Sequence, residues 1–176
     1  GIFNMFHIST AYHTAATWKR RGELQASDRD NPVLDKLNDK FQAMLAKGQV
    51  GRRELANVLW SVAHVSETLN FLKLMPSLVA QIPLVAKGMN AQDVSNSLWA
   101  AATLKEASPD VLEIVPSLVS ETPLVAKSMG AQQASNSLWA AAVLQEALPD
   151  VLKIVPSLAA RIPVVAKDMN AQSVSN

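Results

Sequence analysis

The sequence predicts an all-α protein, an α-solenoid of stacked antiparallel helical hairpins with repeats of about 40 residues. Residues 84–123 and 124–163 align without a gap and agree at 28 of 40 positions. A fixed period of this length marks supersecondary units that cannot each bury an apolar face alone. Trp99 pairs with Trp139, Pro116 with Pro156 and Pro123 with Pro163. A weaker copy, Glu54-Leu55-Ala56-Asn57-Val58-Leu59-Trp60, stands 39 residues before its counterpart, and Met169–Asn176 begins a further one. Apolar residues recur at helical spacing, and no alternating strand pattern occurs.

Residues 4–21 read as a helix capped by Asn4, with Met5, Ile8, Ala11, Tyr12, Ala15 and Trp18 on one stripe. Lys19, Arg20 and Arg21 occupy its last turn, where cations interact favourably with the helix dipole, and Gly22 ends it. A polar connector, Glu23–Asp30, leads to Asn31 as the next cap, with Pro32 at the first helical position. Val33, Leu34, Leu37, Phe41, Met44 and Leu45 form the expected buried stripe, closed by Gly48. Residues 1–48 are thus one divergent hairpin, and residues 49–176 hold three regular units and the start of a truncated fourth.

In the regular unit the first helix is expected over Ala91–Leu104, with Asn90 and Asp93 as a capping box. The second begins at Ser108-Pro109-Asp110, a cap followed by proline. Its apolar spacing runs through Pro116, which lacks a donor and must kink or split the helix. Thr122-Pro123 is expected to restart a short third piece, Leu124–Ser128. Asn176 is the counterpart of Asn96 and Asn136, where Ser-Leu-Trp is next due, so the natural chain is expected to continue. Gly1 in place of Met puts any targeting peptide upstream or already removed.

Apolar residues make up 49% of the chain, ample for a core, yet no apolar run approaches the ~20 residues that span a bilayer. With no cysteine there are no disulfides or thiolate metal sites. The net charge of +1 divides into +3 over residues 1–56 and −2 over residues 57–176. A protein held mainly by phosphate contacts is normally far more basic.

On a helical projection of residues 91–104, Ala91, Val94, Leu98 and Ala101 share the face expected to pack on the unit's second helix. Gln92, Asn96, Thr103 and the edge of Trp99 lie roughly opposite. The equivalent stripe is Gln132, Asn136, Trp139 and Val143 in the next unit, and Arg53, Asn57, Trp60 and His64 in the one before. Stacking brings these stripes into register, and a row of amides beside aromatic rings suits edge recognition and stacking of single-stranded bases. Two other readings stay open. Asn57, Asn96 and Asn136 form a buried ladder bonding backbone between repeats, with the tryptophans as inter-repeat packing; and the variable position Thr103/Val143/His64 either selects a ligand or simply faces water.

The L-A-N-V-L-W and S-N-S-L-W-A-A-A cores at 38–40-residue spacing, each followed by a second helix, resemble octotricopeptide repeats. These are helical-hairpin repeats of algal and protist organelles, related to heptatricopeptide and FASTK-like arrays. The resemblance covers residues 52–176, and H-I-S-T-A-Y-H-T-A looks like a divergent leading repeat. It implies binding of single-stranded organellar RNA, in mitochondrion or chloroplast, for processing, stability, translation or ribosomal RNA assembly.

Phosphate candidates are Lys19, Arg20, Arg21, Arg52 and the once-per-repeat Lys87, Lys127 and Lys167, although compensation of a helix C-terminus explains the periodic lysines equally. Base candidates are Gln92, Asn96, Thr103, Gln132, Asn136, Arg53, Asn57 and His64. His7 and His13 are six apart, the wrong spacing for two metal ligands on one helix face, and His64 has no partner in sequence. Asp28, Asp30 and Asp39 echo a calcium loop, but Val33 replaces its central glycine and Pro32 interrupts it. No nucleophile–base set or phosphate-cradling glycine loop is recognisable, so no enzyme, cofactor, metal or small-molecule substrate is expected. The alternative to RNA binding is a scaffold subunit that offers the superhelix to other proteins of a large organellar complex.

Overall fold

The computed structural model describes residues 4–25, 28, 31–66 and 71–166. Lys167 and the expected truncated repeat, Met169–Asn176, lie outside the described residues. Among those described, every regular element is helical, as the periodicity predicts.

The first helix, α1 (Met5–Arg20), starts where the cap is expected: Asn4 Oδ1 accepts from the His7 N–H at 3.3 Å. It stops at Gly22, whose φ of 72° is open to glycine at little cost. Helix α2 (Pro32–Ala46) is capped by Asn31, which accepts from the Val33 N–H at 2.9 Å. The expected stripes of this hairpin are only partly buried. Met5, Ile8, Tyr12 and Ala15 are covered, with Ala16 added, but Trp18 is 47% exposed; on α2 Phe41 is buried whereas Val33 is 65% exposed. Trp18 and Val33 line an open cleft between α1 and α2, with Ala15 and Leu34.

The regular units follow. Helix α3 (Arg52–Val65) pairs with α4 (Met75–Val85), α5 (Ala91–Leu104) with α6 (Val115–Val125), and α7 (Ala131–Leu144) with α8 (Val155–Ala159) and α9 (Ile162–Val165). Each second helix opens with a tight 3₁₀ stretch (Leu72–Leu74, Pro109–Ile114, Pro149–Ile154) and becomes α-helical just before Pro76, Pro116 or Pro156. Pro116 therefore splits the second helix, as expected, since a proline is tolerated in a first turn whose N–H has no partner. Ser108 precedes that stretch without a side-chain cap bond.

Pro123 does not restart a third piece. Helix α6 runs through it to Val125, then tightens to 3₁₀ at Ala126–Ser128. The proline falls in the last turn and gives up one bond, its own to the Val119 carbonyl, without ending the helix. Only the last unit breaks there, between Ala159 and Ile162.

Two rows result. The first helices α1, α3, α5 and α7 pack each against the next, and in the second row α4 packs on the 109–114 stretch and α6 on the 149–154 stretch. The core lies between the rows. Val94, Leu98 and Ala101 of α5 are buried with Val111, Ile114 and Leu118, and Ala134, Ala141 and Leu144 of α7 with Val151, Ile154 and Leu158. Each such leucine contributes about 2 kcal/mol by burial. Buried Ala100, Ala102 and Ala140 let neighbouring first helices approach closely. Ser97 and Ser137 are buried with hydroxyls that find no partner, at the place that Val58 fills one unit earlier.

Candidate nucleic-acid interface

The first helices run parallel. His13 of α1 stacks on Trp60 of α3, with ring centroids 5.2 Å apart. Ser95 of α5 donates to the Gln133 carbonyl at 3.1 Å, and Lys105 to the Val143 carbonyl at 3.2 Å, so α5 and α7 match start to start and end to end. Parallel stacking puts equivalent residues side by side, and the stripes come into register.

Aromatic rings dominate the middle of this face. Trp60 lies 6.4 Å from Trp99, Trp99 lies 6.2 Å from Trp139, and His64 sits against both Trp60 and Trp99 at 3.9 and 4.5 Å. The three tryptophans are half-buried. They serve inter-repeat packing and also keep part of each ring open to solvent. His13, which sequence reasoning set aside, heads the row. The signal was present: aligning I-S-T-A-Y-H (residues 8–13) with L-A-N-V-L-W (residues 55–60) puts His13 in the place of Trp60.

The amides flank the rings. Gln92 and Gln132 are exposed, and Asn57, Asn96 and Asn136 are half-buried. Gln133 Nε2 donates to Gln92 Oε1 at 2.8 Å, and Gln92 Nε2 to Asn96 Oδ1 at 2.7 Å, a chain of amides that crosses from one unit to the next. The Asn96 N–H donors are left for solvent or a ligand. This corrects the buried-ladder reading: the three asparagines are not fully buried, and the one that is bonded takes a side-chain partner rather than a neighbour's backbone. Thr103 is exposed, its hydroxyl donating to the Trp99 carbonyl at 2.9 Å, which leaves the oxygen as an acceptor.

His64 has the partners its sequence context did not show. Its Nδ1 lies 3.0 Å from the Trp60 carbonyl, which only accepts, so the proton sits on Nδ1 and Nε2 is an acceptor. Burial among rings pushes its pKa below the ordinary histidine value; the Trp60 bond opposes this, and the nearby charges of Arg20 and His13 add to it. His64 is thus neutral at neutral pH, with Nε2 as its acceptor.

The cations do not form one patch. Lys19, Arg20 and Arg21 end α1, with Arg20 near His64, whereas Arg52 and Arg53 begin α3. Lys87 and Lys127 occupy the turns that enter α5 and α7, next to that same starting edge, and both are exposed. About 20 Å of helix separates the two groups. The aromatic and amide stripes run between them. At the far edge of the regular units stand the exposed acids Glu106, Asp110, Glu146 and Asp150. Among the described residues no group of three or more His, Cys, Asp or Glu side chains can hold a metal ion, and no helix is long and apolar enough to cross a membrane. Comparison with protein families, curated proteins and solved structures gives no match.

Asp93 closes the α5 capping box, accepting from the Asn90 N–H at 3.2 Å, yet it is only 3% exposed. Burial raises its pKa, against the Asn90 bond and the charges of Arg52 and Arg53. A carboxyl with a raised folded pKa binds its proton more tightly when folded. Ionisation then costs stability at every pH above that value, and the cost vanishes below the unfolded value. Gln133 makes the equivalent bond to the Gly130 N–H at 2.9 Å with a neutral amide. Asp93→Gln is therefore expected to stabilise the fold at neutral pH and to lose that advantage as the pH falls through the acid range. Melting temperatures measured against pH check this, and a constant difference would refute the assignment.

Proposed function

We propose that this chain is an RNA-binding helical-repeat protein of octotricopeptide type, in which stacked units build a solenoid and the first helices form the reading face. The observation that carries it is the stripe of partly open tryptophans flanked by amides with unused donors. Bases stack against the exposed ring edges and meet Gln92, Asn96, Thr103 and their counterparts, while Arg52, Arg53 and the periodic lysines neutralise phosphates. The triad Lys19, Arg20 and Arg21 would meet a strand that leaves the face at its opposite edge. Organellar transcripts as targets follow from the resemblance of the repeat cores.

The test is binding to a pool of random single-stranded RNA. Replacing Gln92 and Gln132 by alanine is expected to weaken binding to the selected sequences about five- to tenfold. Replacing Lys87 and Lys127 by glutamine is expected to weaken all sequences alike and to flatten the salt slope by about 0.7 per lysine. Unchanged affinity in both sets would end the proposal. A scaffold reading draws on a specific observation: Gln133, Gln92 and Asn96 bond to one another, and the face is flanked by an acidic edge. Partners that survive ribonuclease treatment in a pull-down would favour it.

A further inference from the structure

The second-helix row carries a feature that RNA binding does not use. Leu84, Leu124 and Val164 are 73%, 74% and 62% exposed, among the most exposed large apolar side chains of the described residues, and they occupy one position in three successive units. Each follows an exposed proline (Pro83, Pro123, Pro163), and four residues earlier each helix shows a small exposed residue, Ala80, Ser120 or Ala160. A stray surface leucine needs no explanation, but a row at the repeat period is a surface feature of its own.

The chemistry beside the row is mainly cationic. Lys87 and Lys127 are exposed three residues after Leu84 and Leu124, and neither is in an ion pair among the described residues. The Arg52 guanidinium stands 3.7 Å from where a side chain at Gly88 would begin, next to Lys87. Among the described residues, half-buried Glu121 is an acid that flanks the row, at a position where the other units carry Gln81 and Arg161; the latter is committed to the Met129 carbonyl at 2.7 Å. Ala80 and Ser120 each wall a shallow groove, one with Gln42 and Pro76 and the other with Val119, Leu148 and Lys153, but Leu84, Leu124 and Val164 line neither. The aliphatics therefore project as separate knobs, one per unit, beside lysines that are free to pair.

We propose that this row is a docking surface for an anionic lipid bilayer, with Leu84, Leu124 and Val164 entering the headgroup boundary and Lys87 and Lys127 pairing with lipid phosphates or carboxylates. Spaced knobs without a facing groove suit a deformable apolar medium, and unpaired lysines beside them suit an anionic surface. This goes beyond the RNA reading and shares with it only the lysines.

The test is flotation of the full chain with vesicles of phosphatidylcholine alone or mixed with phosphatidylserine. The chain is expected to float with the mixed vesicles and not with phosphatidylcholine. The triple variant Leu84→Gln, Leu124→Gln, Val164→Gln is expected to lose about tenfold or more in vesicle affinity with its melting temperature and RNA affinity unchanged. Lys87→Gln with Lys127→Gln is expected to lose about fivefold per lysine. A wild-type chain that ignores anionic vesicles, or a triple variant that binds them equally, overturns the proposal. Concentration-dependent self-association that the triple variant abolishes, without vesicle binding, would overturn it too and make the row a contact between copies.

Discussion

Trp99→Ala is expected to lower the free energy of unfolding by about 3 kcal/mol. The ring is the meeting point of three units: Trp60 and His64 touch it from one side at 6.4 and 4.5 Å between centroids, and Trp139 from the other at 6.2 Å. Truncation opens a gap at both inter-unit contacts of α5, which packs against α3 on one side and α7 on the other. Its partial exposure keeps the loss at the low end of the range for tryptophan truncation. Urea unfolding measures it, with Trp99→Phe expected to recover more than half. A loss below about 1 kcal/mol would show that the ring row is not what joins the units. The same variant should weaken RNA binding, because the exposed edge of this ring is the central stacking surface of the proposed face.

The second large effect lies in the first hairpin. Tyr12 and Asn38 are both buried, and the Tyr12 hydroxyl donates to Asn38 Oδ1 at 2.7 Å. Burial drives the tyrosine pKa far above its ordinary value, so the hydroxyl stays protonated and remains a donor at any physiological pH. Tyr12→Phe leaves the Asn38 amide buried and short of a partner, at an expected cost of about 2 kcal/mol. Helix α2 should feel it most, since Phe41 and Asn38 are its buried side chains. Faster amide exchange along Pro32–Ala46 than along α5 is the expected signature. Adding Asn38→Leu should recover most of the loss, because the pair of changes removes both polar groups. No loss on Tyr12→Phe would mean that the hairpin depends on Tyr12 for packing alone.

The regular units were the most legible part of the sequence. The Asn90–Asp93 capping box, the bounds of Ala91–Leu104 and the split at Pro116 all follow from local chemistry, and the structure places each where the residues indicate. The passage of α6 through Pro123 was not legible, because the same proline position is passed in α4 and α6 yet coincides with a break in the following unit, so local sequence does not decide it. Trp18 and Val33 were misjudged for a different reason. Their spacing is that of a buried stripe, but burial needs a covering neighbour, and periodicity does not reveal which side of an end unit has one. On the candidate face, the stripe of Gln92, Asn96, Trp99 and Thr103 could be read from helical spacing. The Gln133–Gln92 bridge could not, since it depends on how one unit sits against the next. The placing of His13 beside Trp60 was within reach of alignment, but the low similarity of the leading hairpin hid it.

The most direct test of the first-helix face is ultraviolet crosslinking of the full chain to random single-stranded RNA, with the crosslinked peptides mapped by mass spectrometry. The expected crosslinks fall at Trp60, Trp99 and Trp139 and at the amides beside them, within α3, α5 and α7. Crosslinks confined to the second-helix row, or none above the level of an unrelated helical protein, would contradict the assignment of this face to RNA.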